Sequence, residues 1–142
     1  MKSLSKTQKT VSLILKVVVV LSATIGVILS AMASSETFMG GDTVFMYFTV
    51  QSNILIGIVC LIGGILILIG RSISKAWYIF KYVTTISITL TGFVFCFVLA
   101  PAMKNAWSVS SILLHAVVPL ASIIDFFVIC NVMKIKKINV LW

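Results

Sequence analysis

The sequence predicts an all-α polytopic membrane protein, with four transmembrane helices in an antiparallel bundle and both termini in the cytoplasm. Three observations predict this: an apolar composition, four long apolar runs, and basic residues gathered at one set of run ends. Hydrophobic residues make up 61% of the chain and charged residues 10%, against about 25% charged in ordinary soluble domains. The mean hydropathy is +1.22. At 142 residues the chain is long enough for a single integral membrane domain, 1–142. A net charge of +8 would suggest nucleic acid in a soluble protein. Here the basic residues lie at the ends of apolar runs, so they read as topology signals, and no nucleic-acid partner is expected.

Crossing a hydrocarbon core of about 30 Å takes roughly 20 helical residues. Four runs meet that length, at Val11–Ala33, Val44–Ile69, Trp77–Ala100 and Val109–Met133. The connections are short, so sequential helices should be neighbours. Lys2, Lys6, Lys9, Lys16, Arg71, Lys75, Lys81, Lys134, Lys136 and Lys137 fall on one side, and only Lys104 falls on the other. The first connection instead carries Glu36 and Asp42. By the positive-inside rule the Lys-rich side, with both termini, is cytoplasmic, in a multi-pass cell-membrane protein.

The first run admits two readings. Lysines, an apolar stretch and Ala31-Met32-Ala33 resemble a signal peptide with its cleavage site. Ser22, Gly26 and Ser30 recur at every fourth position, the small-residue spacing that lets another helix approach closely. The second run carries Gly57, Gly63, Gly64 and Gly70, which suggests close packing or a loose end. The third is rich in hydroxyls, from Thr84 to Thr91, most of which should bond back to their own helix. Trp77, Tyr78, Tyr82 and Trp107 lie near the expected interfaces, as aromatic belts do. Cys60, Cys96 and Cys130 fall in three separate runs, which argues against disulfides and offers no metal site. No cofactor is expected.

Two sets of polar residues remain at membrane depth. One is the stretch Tyr47-Phe48-Thr49-Val50-Gln51-Ser52-Asn53. Thr49 lies about 8 Å below the outer end of its run, and His115, the lone histidine, lies about 9 Å below the same end of the fourth. Asn53 follows Thr49 by one turn and can share its interhelical space. Pro119 cannot donate to the His115 carbonyl and crowds it, so a kink is expected there, with Ser111 able to bond the imidazole from the other side. A neutral histidine so placed is either a general base or a structural group satisfied by a neighbouring hydroxyl. The second set is Asp125 and Lys81, each about 6 Å from the inner end. A structural Lys81–Asp125 ion pair accounts for the otherwise costly carboxylate.

The segments YFTVQSNIL, from Tyr47 to Leu55, and LLHAVVPLASIID, from Leu113 to Asp125, resemble the androgen-induced and androgen-dependent integral membrane proteins and their bacterial relatives. In animal members of that family, a threonine and a histidine within the membrane cleave fatty acid esters of hydroxy fatty acids. The resemblance places Thr49 and His115 in those positions. It implies a lipid-ester hydrolase in which Thr49 attacks the ester carbonyl and His115 takes its proton. Gln51, Ser52 and Asn53 are then candidates for oxyanion or polar support. Members of the family have about six spans, so a four-span chain implies a relative shorter by about two, whose activity depends on four spans sufficing.

The alternative is a small non-enzymatic membrane protein, an assembly or transport subunit, whose polar patch only joins helices. A transporter built on Asp125 is the weakest reading, since one deep acid and no broken helix pair support it. Expected partners are membrane lipids, a lipid-ester substrate and a second copy of the chain.

Overall fold

A computed structural model describes residues 5–33, 42–71, 74–104 and 106–130. Every regular element among them is helical, and four helices are long and apolar enough to cross a membrane: Lys6–Met32, Phe48–Leu68, Lys75–Ala102 and Val109–Ile129. Lys134, Lys136, Lys137, Glu36 and residues 131–133 of the expected fourth run lie outside the described residues.

Helix α1, Lys6–Met32, starts earlier than the apolar run because Ser5 caps it. The Ser5 hydroxyl accepts from the Gln8 N–H at 3.2 Å, and the Gln8 side chain accepts from the Ser5 N–H at 3.0 Å. This capping box satisfies two otherwise orphaned donors. The helix buries Ser12, Lys16, Val19, Ser22, Ala23, Gly26 and Ser30. That stripe, spaced at threes and fours, is one helical face, and it is made of small and polar residues. Ile14, Val17, Leu21, Ile25 and Ile28 face outward. The bundle is therefore apolar outside and polar within, which suits lipid and not water.

Helix α2, Phe48–Leu68, begins four residues later than expected, because Asp42–Met46 forms a 3-10 turn. Val44 in that turn is nonetheless buried and packs with Val50, Val27 and Ala31. Gly70 ends the helix with φ of 68°, a conformation that only glycine adopts without penalty. The following Arg71 N–H returns to the Leu66 carbonyl at 3.1 Å. Helix α3, Lys75–Val94, is capped by Ser74, whose hydroxyl accepts from the Trp77 N–H at 3.2 Å. Thr84, Thr85, Ser87, Thr89 and Thr91 all donate back to carbonyls of their own helix.

The two spans that contain proline handle it the same way. After α3 the chain widens into a π turn, Phe95–Leu99, two residues before Pro101, and then tightens into a 3-10 turn, Ala100–Ala102. The fourth span begins as α4, Val109–Ile112, passes through a π turn, Leu113–Val117, and continues past Pro119 as α5, Val118–Cys130. A proline leaves the carbonyl four residues back without its donor and crowds it. In each case the donor just ahead of the proline reaches one residue further back: Ala100 to Phe95, and Val118 to Leu113. The backbone irregularity expected at Pro119 thus takes the form of a π turn, which spreads the distortion over five residues.

Helix α1 packs against α2 and α5, and α3 packs against the same two. Val19, Ala23, Ile56, Cys60, Ile88, Val118 and Ala121 form the central apolar layer. Two glycines set how closely the fourth span is held. A Cβ on Gly26 would meet the Leu114 side chain at 2.7 Å, and one on Gly92 would meet the His115 carbonyl oxygen at 2.8 Å. The π turn that carries His115 is therefore clasped between α1 and α3.

Candidate functional site

The apolar middle separates two polar layers. The first is built on the π turn of the fourth span. His115 is 4% exposed. Its ring stacks on Phe95, the first residue of the other π turn, with centroids 3.7 Å apart and planes 8° from parallel. Trp107 closes over Phe95 edge-on, at 5.7 Å and 89°. The Thr91 carbonyl lies toward the imidazole, as an acceptor for a ring N–H. The Nδ1 atom has no partner among the described residues. A neutral imidazole whose unpartnered nitrogen is the unprotonated one is a proton acceptor in chemical terms.

The start of α2 supplies the rest of this layer. The Asn53 amide donates to the Thr49 carbonyl at 2.8 Å and to the Leu114 carbonyl at 3.3 Å. One side chain thereby joins the turn that bears Thr49 to the residue before His115. The Ser52 hydroxyl has one proton, within reach of the Thr49 carbonyl at 3.0 Å and of the Thr91 hydroxyl at 3.1 Å; since Thr91 gives its own proton to the Ser87 carbonyl, Ser52 is the donor when the pair ties α2 to α3. Asn53 Oδ1 is buried and, like His115 Nδ1, has no partner among the described residues.

Not every expected contributor joins them. Among the described residues no hydrogen bond links Thr49 to His115, and Thr49 sits half-buried at the edge of the layer. Ser111 does not reach the imidazole as expected; its hydroxyl pairs with Ser108 at 2.9 Å, because Ser108 is the cap of α4 and draws it to the helix end. Gln51 is exposed and donates to the Phe45 carbonyl at 3.1 Å, so it braces the preceding 3-10 turn from outside the layer.

The second layer centres on Asp125, which is fully buried at 0% exposure. Lys81 Nζ lies 2.9 Å from Asp125 Oδ2. Lys16, counted from sequence only as a topology signal, is instead buried in the bundle and reaches both carboxylate oxygens at 2.7 Å. Ser12 donates to Oδ1 at 2.6 Å and accepts from Lys16 Nζ at 2.8 Å. Lys81 also contacts Cys60 Sγ at 3.1 Å. The overlooked signal was positional: Lys16 lies on the same helical face as Ser12, Val19, Ala23 and Gly26, so it had to point inward with them. Among the described residues no three His, Cys, Asp or Glu side chains converge as a metal site would require.

No family model, characterised protein or solved structure matches the chain.

Proposed function

We propose that the chain is a cell-membrane protein, with antiparallel spans and cytoplasmic termini, that hydrolyses a lipid ester at the His115 layer. The observation that carries this reading is the Asn53 bridge. It fixes the turn bearing Thr49 against the peptide next to His115, whose buried Nδ1 has no partner among the described residues. The local resemblance of the two segments to an intramembrane Thr/His hydrolase supports the same pair. Thr49 Oγ attacks the ester carbonyl, His115 accepts its proton, and the imidazolium returns a proton to the departing alcohol. Water then releases the acyl group from Thr49. Ser52 and Asn53 are committed to carbonyl and hydroxyl partners in the resting state. Their part in holding an oxyanion requires the substrate to take over one of those bonds. A site one to two turns below the membrane surface suits an ester near the headgroups with its chains in lipid.

A second reading has its own support. Ser52–Thr91 and Asn53–Leu114 bonds join helices directly, as they would in a non-enzymatic assembly or transport subunit, alone or as a homo-oligomer. Labelling with a fluorophosphonate, together with hydrolysis of a fatty acid ester in proteoliposomes, separates the two. The hydrolase reading expects label on Thr49 and loss of both signals in Thr49→Ala and His115→Ala. Equal labelling of wild type and Thr49→Ala, with Thr49→Ser and His115→Gln folding normally, leaves only the packing role.

A further inference from the structure

The two ends of the bundle carry very different charge. The connection from α1 to α2 holds Glu36 and Asp42, and the one before α4 holds Lys104. At the opposite end, α1 carries Lys6 and Lys9, Arg71 follows Gly70, and Lys75 opens α3. All four basic residues are exposed. None of them makes an ion pair among the described residues, where the ion pairs to Asp125 come from Lys16 and Lys81. Asp125 is wholly enclosed and committed to those two lysines and Ser12. Glu36 and Asp42 lie beyond Met32, which is 23 residues from Lys9, or about 35 Å along the helix. The chain has no other acid, so the counter-charge of this rim comes from outside it.

Topology accounts for basic residues at one end of the spans, and dissolved anions would suffice if these groups stood clear of the membrane. Their depth places them nearer. Lys16 and Lys81 reach the same carboxylate, so they share a level. Lys9 lies seven residues beyond Lys16 and Lys75 six beyond Lys81, about 11 and 9 Å closer to the end. Outward-facing apolar side chains begin just below: Val11 and Ile14 on α1, Ile79 and Phe80 on α3. Each set of charges thus borders a lipid-facing surface, at the height of the headgroups. Lys6 and Lys9 are neighbours on one helical face. An anionic phospholipid gives its phosphate to such bases and its acyl chains to the apolar face beneath. A free phosphate uses only the first, and a zwitterionic lipid brings its own cation against the lysines.

We propose that this basic rim docks the headgroups of anionic phospholipids, with Lys6 and Lys9 forming one phosphate contact and Arg71 and Lys75 another. The proposal requires only that the helices span the bilayer. It is independent of the hydrolase reading and of which side of the membrane this end faces.

Spin-labelled phosphatidylglycerol and phosphatidylcholine with identical acyl chains, each added in trace to phosphatidylcholine vesicles holding the full chain, test this. The fraction of each label slowed by the protein gives their relative association. Each basic contact at such a surface favours an anion about fivefold. Averaged over all lipids around the bundle, phosphatidylglycerol should be preferred by about twofold or more. The preference should fall in Lys6→Gln/Lys9→Gln and in Arg71→Gln/Lys75→Gln, vanish when all four are replaced, and be unchanged in Lys104→Gln. It should also vanish at about 1 M sodium chloride, where charges act over only about 3 Å. Elution from a sizing column checks each variant's fold; single substitutions, each expected to lower the preference, replace any pair that does not fold. Equal association of the two lipids would overturn the proposal. So would a preference that survives high salt, persists without the four bases, or is lost as fully in Lys104→Gln. A preference abolished by inorganic phosphate but not by sodium chloride of equal ionic strength would also overturn it, by assigning the rim to free phosphate.

Discussion

The two polar layers fail in opposite ways. The side-chain oxygens and nitrogens of Asp125, Ser12, Lys16 and Lys81 all have partners, through contacts of 2.6 to 2.9 Å, yet two lysines face one carboxylate. Around His115 no formal charge is required, yet Asn53 Oδ1 and His115 Nδ1 are buried without a donor among the described residues. The first layer is held by ion pairs between side chains of α1, α3 and α5. The second is held by side chains gripping main-chain carbonyls at Thr49 and Leu114. Strong charge-assisted bonds hold a bundle together, whereas open lone pairs at a distorted turn are groups left available to something else. Hydrogen bonding and charge balance are separate requirements, and a buried site can meet one without the other.

The comparison is sharpened most by breaking the charged layer. Asp125→Asn leaves two ammoniums without a carboxylate, and loss of one partner from a buried ionic group costs about 3–5 kcal/mol. Thermal unfolding in detergent, followed by tryptophan fluorescence, should show a large fall or no folded protein at all. The triple variant Lys16→Met, Lys81→Met, Asp125→Leu should recover most of the loss, because it removes the charges together. Failure to recover would mean that the layer specifies the bundle's arrangement rather than merely stabilising it.

The next effect concerns the clasp on His115. Gly92→Ala pushes a Cβ against a main-chain oxygen and the Pro119 ring, whereas Gly26→Ala meets side-chain atoms only, Leu114 Cδ2 and Cγ and then Leu113 Cβ. Overpacking costs about 1–3 kcal/mol where neighbours cannot move. The melting temperature should therefore fall further for Gly92→Ala than for Gly26→Ala. Equal shifts would mean that α1 and α3 grip the turn equally.

The smallest effect is expected from the hydroxyl pair. Ser52→Ala or Thr91→Val removes one interhelical bond, and such bonds contribute about 0.6 kcal/mol on average within membranes. Chemical or thermal unfolding should barely register either change. A loss comparable with that of Asp125→Asn would erase the distinction between the layers.

Much of this architecture can be read from hydropathy, because lipid demands long apolar helices whatever their packing. The four spans are legible for that reason, with starts misplaced where caps and turns intervene, at Ser5, at Asp42–Met46 and at Ser74. Lys81 and Asp125 can be matched by depth along neighbouring helices. Lys16 cannot be placed by depth alone, since a lysine near a helix end can equally snorkel to the surface. Only the face it shares with Ser12 and Gly26 turns it inward. The stacking of Phe95 on His115 is not legible at all: it depends on two π turns meeting, and sequence marks these only by the prolines that follow them. Ser111 shows the reverse limit, where a correct spacing from His115 is overridden by a local cap.

The π turn at Leu113–Val117 also bears on how insertions and deletions would be tolerated in this span. Such a turn is in effect an α-helical turn with one residue inserted. Removing one residue from within it, Ala116 for example, would restore an ordinary turn while leaving α5 facing the same neighbours. Removing one from α5 itself, such as Leu120, would rotate everything beyond it by about 100° and swing Asp125 off Lys16 and Lys81. Within this one span, the residues next to the histidine are where the chain can change length, and those just after the proline are where it cannot.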